Sequence, residues 1–241
     1  PNPGNALDRI IGAMHDADGR VAIPGFYEGV REPTARERAD IAALPFDGPS
    51  WLAEAAGGAR ALSGEAGWST LERTWVRPTA EVNGIHGGYT GPGGKTIVPA
   101  SATVKLSFRL VADQRPERIA ALLREFVAAH TPEGITADVA ITDGIAAYSA
   151  DPDHPATVAV AEALAAAFDT RVRFSRTGGS GPSSLMHEVL GAPLCYLGAT
   201  LPDDRIHAPN ERVVLPVLMR GAEAAAILFR LLSDRLPGAS E

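Results

Sequence analysis

A single imidazole, His207, stands in the run His207-Ala208-Pro209-Asn210-Glu211, about thirty residues after the stretch Arg176-Thr177-Gly178-Gly179-Ser180-Gly181-Pro182. Neutral imidazole is a standard zinc ligand, yet an enzymatic zinc normally takes three or more protein ligands. No second cluster of His, Asp and Glu at ligand spacing accompanies it. Read from residues alone, a lone histidine is more often structural than metal-bound. Ser180 lies in a glycine-rich turn ahead of a helical pattern, where exposed backbone N–H groups favour a carboxylate. A phosphate loop would require Gly-Lys-Ser/Thr, which does not follow, and a nucleophile elbow would require Gly-x-Ser-x-Gly, which Pro182 breaks. Arg109 is a guanidinium on the polar side of an alternating segment, a group whose fork suits a carboxylate.

These residues need elements to hold them. Leu7, Ile10, Ile11 and Met14 follow the i, i+3, i+4, i+7 spacing of a core-facing helix from the very start of the chain. Asp18-Gly19 then marks a turn before the short strand-like Val21-Ala22-Ile23. Residues 33 to 78 read as helical but broken by Pro and Gly, an insertion with Trp51, Trp68 and Trp75 as packing anchors. Thr34 and Glu37 stand at capping-box spacing. Strands are expected over Ala80–Tyr89 and Thr103–Val111, the second alternating Val104, Leu106, Phe108 and Leu110 with Lys105, Ser107 and Arg109. Pro116 opens a helix carrying Ile119, Leu122, Leu123, Phe126 and Val127, and a further strand is expected over Thr136–Ile141. This order predicts an α+β, ferredoxin-like open-faced sandwich with helices on one face of an antiparallel sheet.

From about Tyr148 the rhythm becomes α/β. A helix capped by Asp153 should bury Val158, Val160, Ala161, Leu164 and Phe168. The strands Val172–Phe174 and Leu194–Tyr196 flank a helix over Leu185–Leu190. A last helix should carry a stripe including Val217, Leu218, Ala222, Ala225, Ile227, Leu228 and Leu231. Two strands make a poor sheet, so this half needs strands from elsewhere.

The chain has 241 residues, a net charge of −7 and one cysteine, Cys195, in an apolar run. Scattered Lys and Arg under a negative balance argue against nucleic acid as the main partner. The lone thiol forms no internal disulfide and reads as buried structure. No apolar stretch approaches a membrane span and no signal peptide opens the sequence, so a cytoplasmic protein without a membrane partner is expected.

Three segments together resemble the M20 metallopeptidases, specifically the dipeptidase and carnosinase-like branch. They are Asn2–Leu7 with Asp16–Tyr27, Val82–Tyr89 continuing through Gly94–Pro99 and Lys105–Leu110, and the Gly-Gly-Ser loop with His-Ala-Pro-Asn-Glu. The resemblance implies that residues 1–147 are most of a lid that dimerises, with its insertion at about 31–78. Residues 148–241 would then be the C-terminal portion of an α/β zinc-peptidase catalytic domain. It implies that His207 is a metal ligand and that Glu211 lies behind it or braces its loop. Arg109, Thr96 and Ser180 match substrate-binding positions, Arg109 gripping the terminal carboxylate and Thr96 often acting from a partner subunit. Thr177 stands where the family commonly has Glu, and Gly181 replaces its usual Ile, which bears on substrate preference.

The family's remaining ligands and its general base precede the lid, so no catalytic base is expected within this chain, which reads as the C-terminal half of such an enzyme. The intact protein is then expected to be a homodimeric, dinuclear enzyme, with zinc or else manganese or cobalt, that hydrolyses dipeptides or similar short amides. This chain alone is expected to be inactive and need bind no metal. The alternatives are a non-catalytic dimerisation or binding module, and an M20-like aminoacylase or desuccinylase.

Overall fold

The computed structural model describes residues 1–55, 59–179, 181–201 and 203–235. They form two compact units, Pro1–Tyr148 with Arg176–Ser184, and Ser149–Ser175 with Leu185–Glu241.

The first unit opens with α1 (Pro3–Gly12), whose N-cap Asn2 accepts the Gly4 N–H at 2.9 Å through its side chain. Three short helices follow in the insertion, α2 (Ala35–Ala42), α3 (Gly48–Ala55) and α4 (Thr70–Trp75). Thr34 and Glu37 close the expected capping box on α2, and Ser69 with Glu72 closes a second on α4. The strands β1 (Thr79–Gly87) and β2 (Ala102–Arg109) pair antiparallel, with Ala80 opposite Phe108 and Val82 opposite Leu106. One extra residue, Asn83, bulges β1 between Val82 and Gly84. Helix α5 (Pro116–His130) starts on Pro116 and buries Ile119, Leu122, Leu123 and Phe126.

One apolar cluster unites α1, the β1–β2 hairpin and α5. Ile10 and Met14 meet Val21, Ile23, Phe26 and Ala80 and the buried face of α5, with Leu106 and Phe108 packed against them. The alternation in β2 thus puts its apolar side on α1 and α5, as an open-faced sandwich requires.

The expected strand over 136–141 carries no ladder. Val139 still packs on the core, so its side chain goes where a strand would send it. A strand is defined by pairing, and among the described residues the one ladder is that of β1 with β2, apart from an isolated His15–Val21 bridge. The segments 172–174 and 194–196, expected as strands, are likewise not strands in the structure.

The second unit holds α6 (Pro155–Phe168), most of α7 (Ser183–Leu190) and α8 (Leu215–Arg235). His154, not Asp153, is the N-cap of α6, its Nδ1 accepting the Ala156 N–H at 3.1 Å. Pro155 at the first helical position makes the preceding residue the cap and holds it extended. The buried stripe also differs from expectation: Thr157, Ala159, Ala163 and Ala167 are buried, while Val158, Val160, Ala161, Leu164 and Phe168 are half-covered. This helix is apolar nearly all round, so periodicity could not choose its side. The helices α6 and α8 pack together, and on α8 the buried residues are Gly221 and Ala224. Small side chains let two backbones approach closely. No helix among the described residues is long and apolar enough to cross a membrane.

Candidate active site

His207 lies at the apex of a loop whose feet are tied by a carboxylate the sequence did not single out. Asp204 is 1% exposed. Its Oδ2 accepts the Leu201 N–H at 2.7 Å, and its Oδ1 accepts Arg212 Nε–H at 3.4 Å. The backbone repeats the tie, with Asp204 N–H donating to Leu201 O at 3.1 Å and Arg212 N–H donating to Asp204 O at 3.0 Å. Arg212 also pairs with Asp203. Between these feet, Arg205, His207 and Asn210 all hold positive φ, at 57°, 64° and 62°. Left-handed conformations cost non-glycine residues energy and persist only where the surroundings impose them. The loop therefore holds His207 on a bent backbone with its side chain exposed. Glu211 is exposed, and its N–H closes a turn on Ala208 O at 3.2 Å. The one signal for Asp204 was the pair Asp203-Asp204 facing Arg212 across the motif, and polar loops commonly contain such pairs.

An exposed imidazole suits a zinc ion in donor type. Among the described residues, however, no group of three or more His, Cys, Asp or Glu side chains could hold a metal. Among the described residues His207 is therefore not a metal site by itself.

The glycine-rich loop belongs by its contacts to the first unit. Thr177 Oγ1 accepts the Gly179 N–H at 3.1 Å. A side chain on Gly178 would meet Thr74 O of α4 at 3.0 Å, which explains glycine at that close approach. Arg176 pairs with Glu37 of α2. Ser180 lies outside the described residues.

Arg109 ends β2 opposite Thr79, exposed, whereas Thr96 is exposed in the connection beyond the other end of the ladder. From Ala102 to Arg109 the strand rises roughly 23 Å. The hairpin therefore does not bring Arg109 and the start of the Thr96 connection together.

A network of cations and rings also went unread in the sequence. The buried Arg77 donates to both oxygens of Glu65, each at 2.8 Å, and to Glu32 Oε1 at 2.8 Å. Its guanidinium lies 4.4 Å from the centre of the Trp68 ring and 5.1 Å from that of Tyr27. Arg20 covers Tyr27 at 3.8 Å and Arg38 covers Trp68 at 4.7 Å. Trp68 thus packs against side chains of its own unit, as expected for the insertion's tryptophans. Two other histidines bond to backbone carbonyls, His130 to Phe126 O at 2.8 Å and His187 to Ala192 O at 2.7 Å.

A family model described as the peptidase dimerisation domain, M20_dimer, matches residues 1–135. The chain is 25% identical over 234 residues to the Cys-Gly metallodipeptidase of Saccharomyces cerevisiae, covering 95% of this chain and 48% of that protein. It is 25% identical over 235 residues to the human Beta-Ala-His dipeptidase, covering 92% of this chain and 44% of that protein. Among solved structures, an M20 family metallo-carboxypeptidase from Sulfolobus solfataricus superposes with a TM-score of 0.82 at 28% identity. That match covers 96% of this chain and 52% of the other. The chain spans about half the length of the relatives it matches.

Proposed function

Since the chain belongs to the M20 peptidase family through its peptidase dimerisation domain, we propose that it is the lid and closing catalytic segment of a metallodipeptidase. In this reading residues 1–147 are the lid and 148–241 the C-terminal portion of the catalytic domain. His207 contributes one imidazole to a metal site whose other ligands come from beyond the described residues. A bound divalent metal, zinc in the first instance, supplies Lewis-acid polarisation of the scissile carbonyl and acidifies water.

The chain's own residues bind and orient. Arg109 offers a bidentate fork to the substrate's terminal carboxylate, and Ser180 is a second substrate-binding residue. The ladder that separates Arg109 from the Thr96 connection favours Thr96 serving the site of a partner copy, which a homodimer would provide. Glu211 braces the His207 turn. The observation that carries the reading is the superposition of 96% of the chain on an M20 metallopeptidase at a TM-score of 0.82.

A second substrate length is favoured by one observation, that the Sulfolobus solfataricus neighbour is a metallo-carboxypeptidase. Both activities recognise a free terminal carboxylate. The test is hydrolysis of dipeptides, longer peptides and their C-terminal amides by the complete protein that contains this sequence. Chelator-sensitive cleavage of free dipeptides, lost on amidation and with KM raised at least tenfold by Arg109→Met, is the expected result. Cleavage of longer peptides at equal rate would move the assignment to carboxypeptidase. Metal-dependent dipeptide hydrolysis by the 241-residue polypeptide alone would overturn the division of the site proposed above.

A further inference from the structure

The glycine-rich loop is far in sequence from the insertion, yet two contacts fasten it there. One is the ion pair between Arg176 and Glu37, separated by 139 positions. The other is the approach of Gly178 to Thr74 O, close enough that a Cβ would stand 3.0 Å from it. Glu37 is unusually well placed to be an anchor. Its Oε2 accepts the Thr34 N–H at 2.8 Å, and Arg31 donates to both its oxygens at 3.1 and 3.2 Å. The carboxylate that receives Arg176 is thus already fixed at the start of α2, so little further freedom is lost when the arginine docks.

We propose that Glu37 is a positioning residue for the glycine-rich loop, so that the insertion, through α2 and α4, sets where Thr177, Gly178 and Gly179 present their backbone to a substrate carboxylate. The role in substrate binding rests on the dipeptidase reading; the tether itself does not. Glu37 touches neither substrate nor metal and acts through Arg176.

Two measurements test this. The first is amide hydrogen exchange at Thr177, Gly178 and Gly179 in the 241-residue chain, which needs no activity. Glu37→Gln keeps the capping box, because glutamine serves equally at that position, but removes the charge that Arg176 and Arg31 seek. Exchange should quicken about tenfold in Glu37→Gln and in Arg176→Gln, and little further in the double variant, since the two residues act as a unit. Asp40→Asn, on the same helix in an exposed pair with Arg36, should leave the loop unchanged. The second is steady-state kinetics of the complete protein, in which Glu37→Gln should raise KM for a free dipeptide several-fold while kcat holds within about twofold. Gly178→Ala, which displaces the loop from the α4 side, should move KM in the same direction.

Unchanged exchange in Glu37→Gln, or additive changes in the double variant, would overturn the tether. A fall in kcat at constant KM would overturn the positioning role. Faster exchange in a complete protein that cleaves no dipeptide supports the tether and defeats the functional reading instead, so the two failures are distinguishable.

Discussion

The two units bury different things. The first has a ten-residue apolar cluster of large side chains, from Ile10 and Met14 to Phe126, and beside it a charged layer in which Arg77 is 2% exposed. The second buries alanines, a glycine, Thr157 and Asp204, and leaves Val189, Leu190, Tyr196, Leu215, Met219 and Phe229 all at least 63% exposed. An apolar surface of that extent ordinarily marks an interface. The first unit has a core of its own, with exposed apolar residues such as Ile85, Ile97 and Val98 on and beside its hairpin, whereas the second has no such core of large side chains among the described residues. That contrast supports the proposal that residues 148–241 are part of a catalytic domain.

The largest expected effect tests the contrast directly. Phe26 is 1% exposed and in contact with Tyr27 and Phe108, whereas Phe229 is 75% exposed. Phe26→Ala should destabilise the first unit by roughly 3–5 kcal/mol, as truncation of a core aromatic does. Phe229→Ala should change chemical denaturation of this chain by less than about 0.5 kcal/mol. A Phe229 effect comparable with that of Phe26 would mean that the second unit has a closed core after all.

Charge offers the next comparison. Arg77→Met leaves the buried Glu65 with Arg20 and the Tyr27 hydroxyl as its remaining partners and removes a cation from beside Tyr27 and Trp68. A buried pair broken on one side costs about 3 kcal/mol. In the second unit the pair of Arg235 with Glu162 lies at the surface, and Arg235→Met should leave the denaturation midpoint nearly unchanged. Denaturant midpoints at constant slope would read both. Equal effects would show that the network around Arg77 is surface decoration.

Which parts of this were legible follows from the range of the signals. Helix α5 and the β1–β2 pair come straight from local periodicity and from Pro116, because one face is apolar and the other is not. The Thr34–Glu37 box was equally plain, and the same spacing at Ser69 and Glu72 was there to be read. The side of α6 was not, since alanines and valines surround it and the choice depends on how closely α8 approaches. The strands expected at 136–141, 172–174 and 194–196 have strand-like composition, but pairing is a property of partners. In the candidate site, His207, Arg109 and Thr96 are proposed from motif resemblance, whereas Asp204 with Arg212, and the pairing of Glu37 with Arg176, depend on contacts that no local pattern announces. Arg77 was the least visible: nothing in Trp75-Val76-Arg77-Pro78 announces a buried guanidinium between two rings.

The smallest expected effect concerns acid. Burial pushes the Glu37 carboxyl up, but the Thr34 N–H and hydroxyl and the Arg31 guanidinium outweigh it and bring it down from 4.5 to about 2. A carboxyl depressed on folding contributes stability that is complete above its unfolded value and disappears as pH falls through the folded one. The first unit should therefore lose this contribution between about pH 4.5 and pH 2. Because water and salt screen the partly covered pair, the loss should be about 1 kcal/mol. Glu37→Gln removes the titrating group, so its destabilisation relative to the parent should be full at neutral pH and shrink toward zero near pH 2. Urea midpoints of parent and variant across that range would check the sign. A difference that grows on acidification would mean that Glu37 is held protonated in the fold. Neither Arg31 nor Arg176 could then be paired with it as a carboxylate, and the anchor proposed for the glycine-rich loop would fall with it.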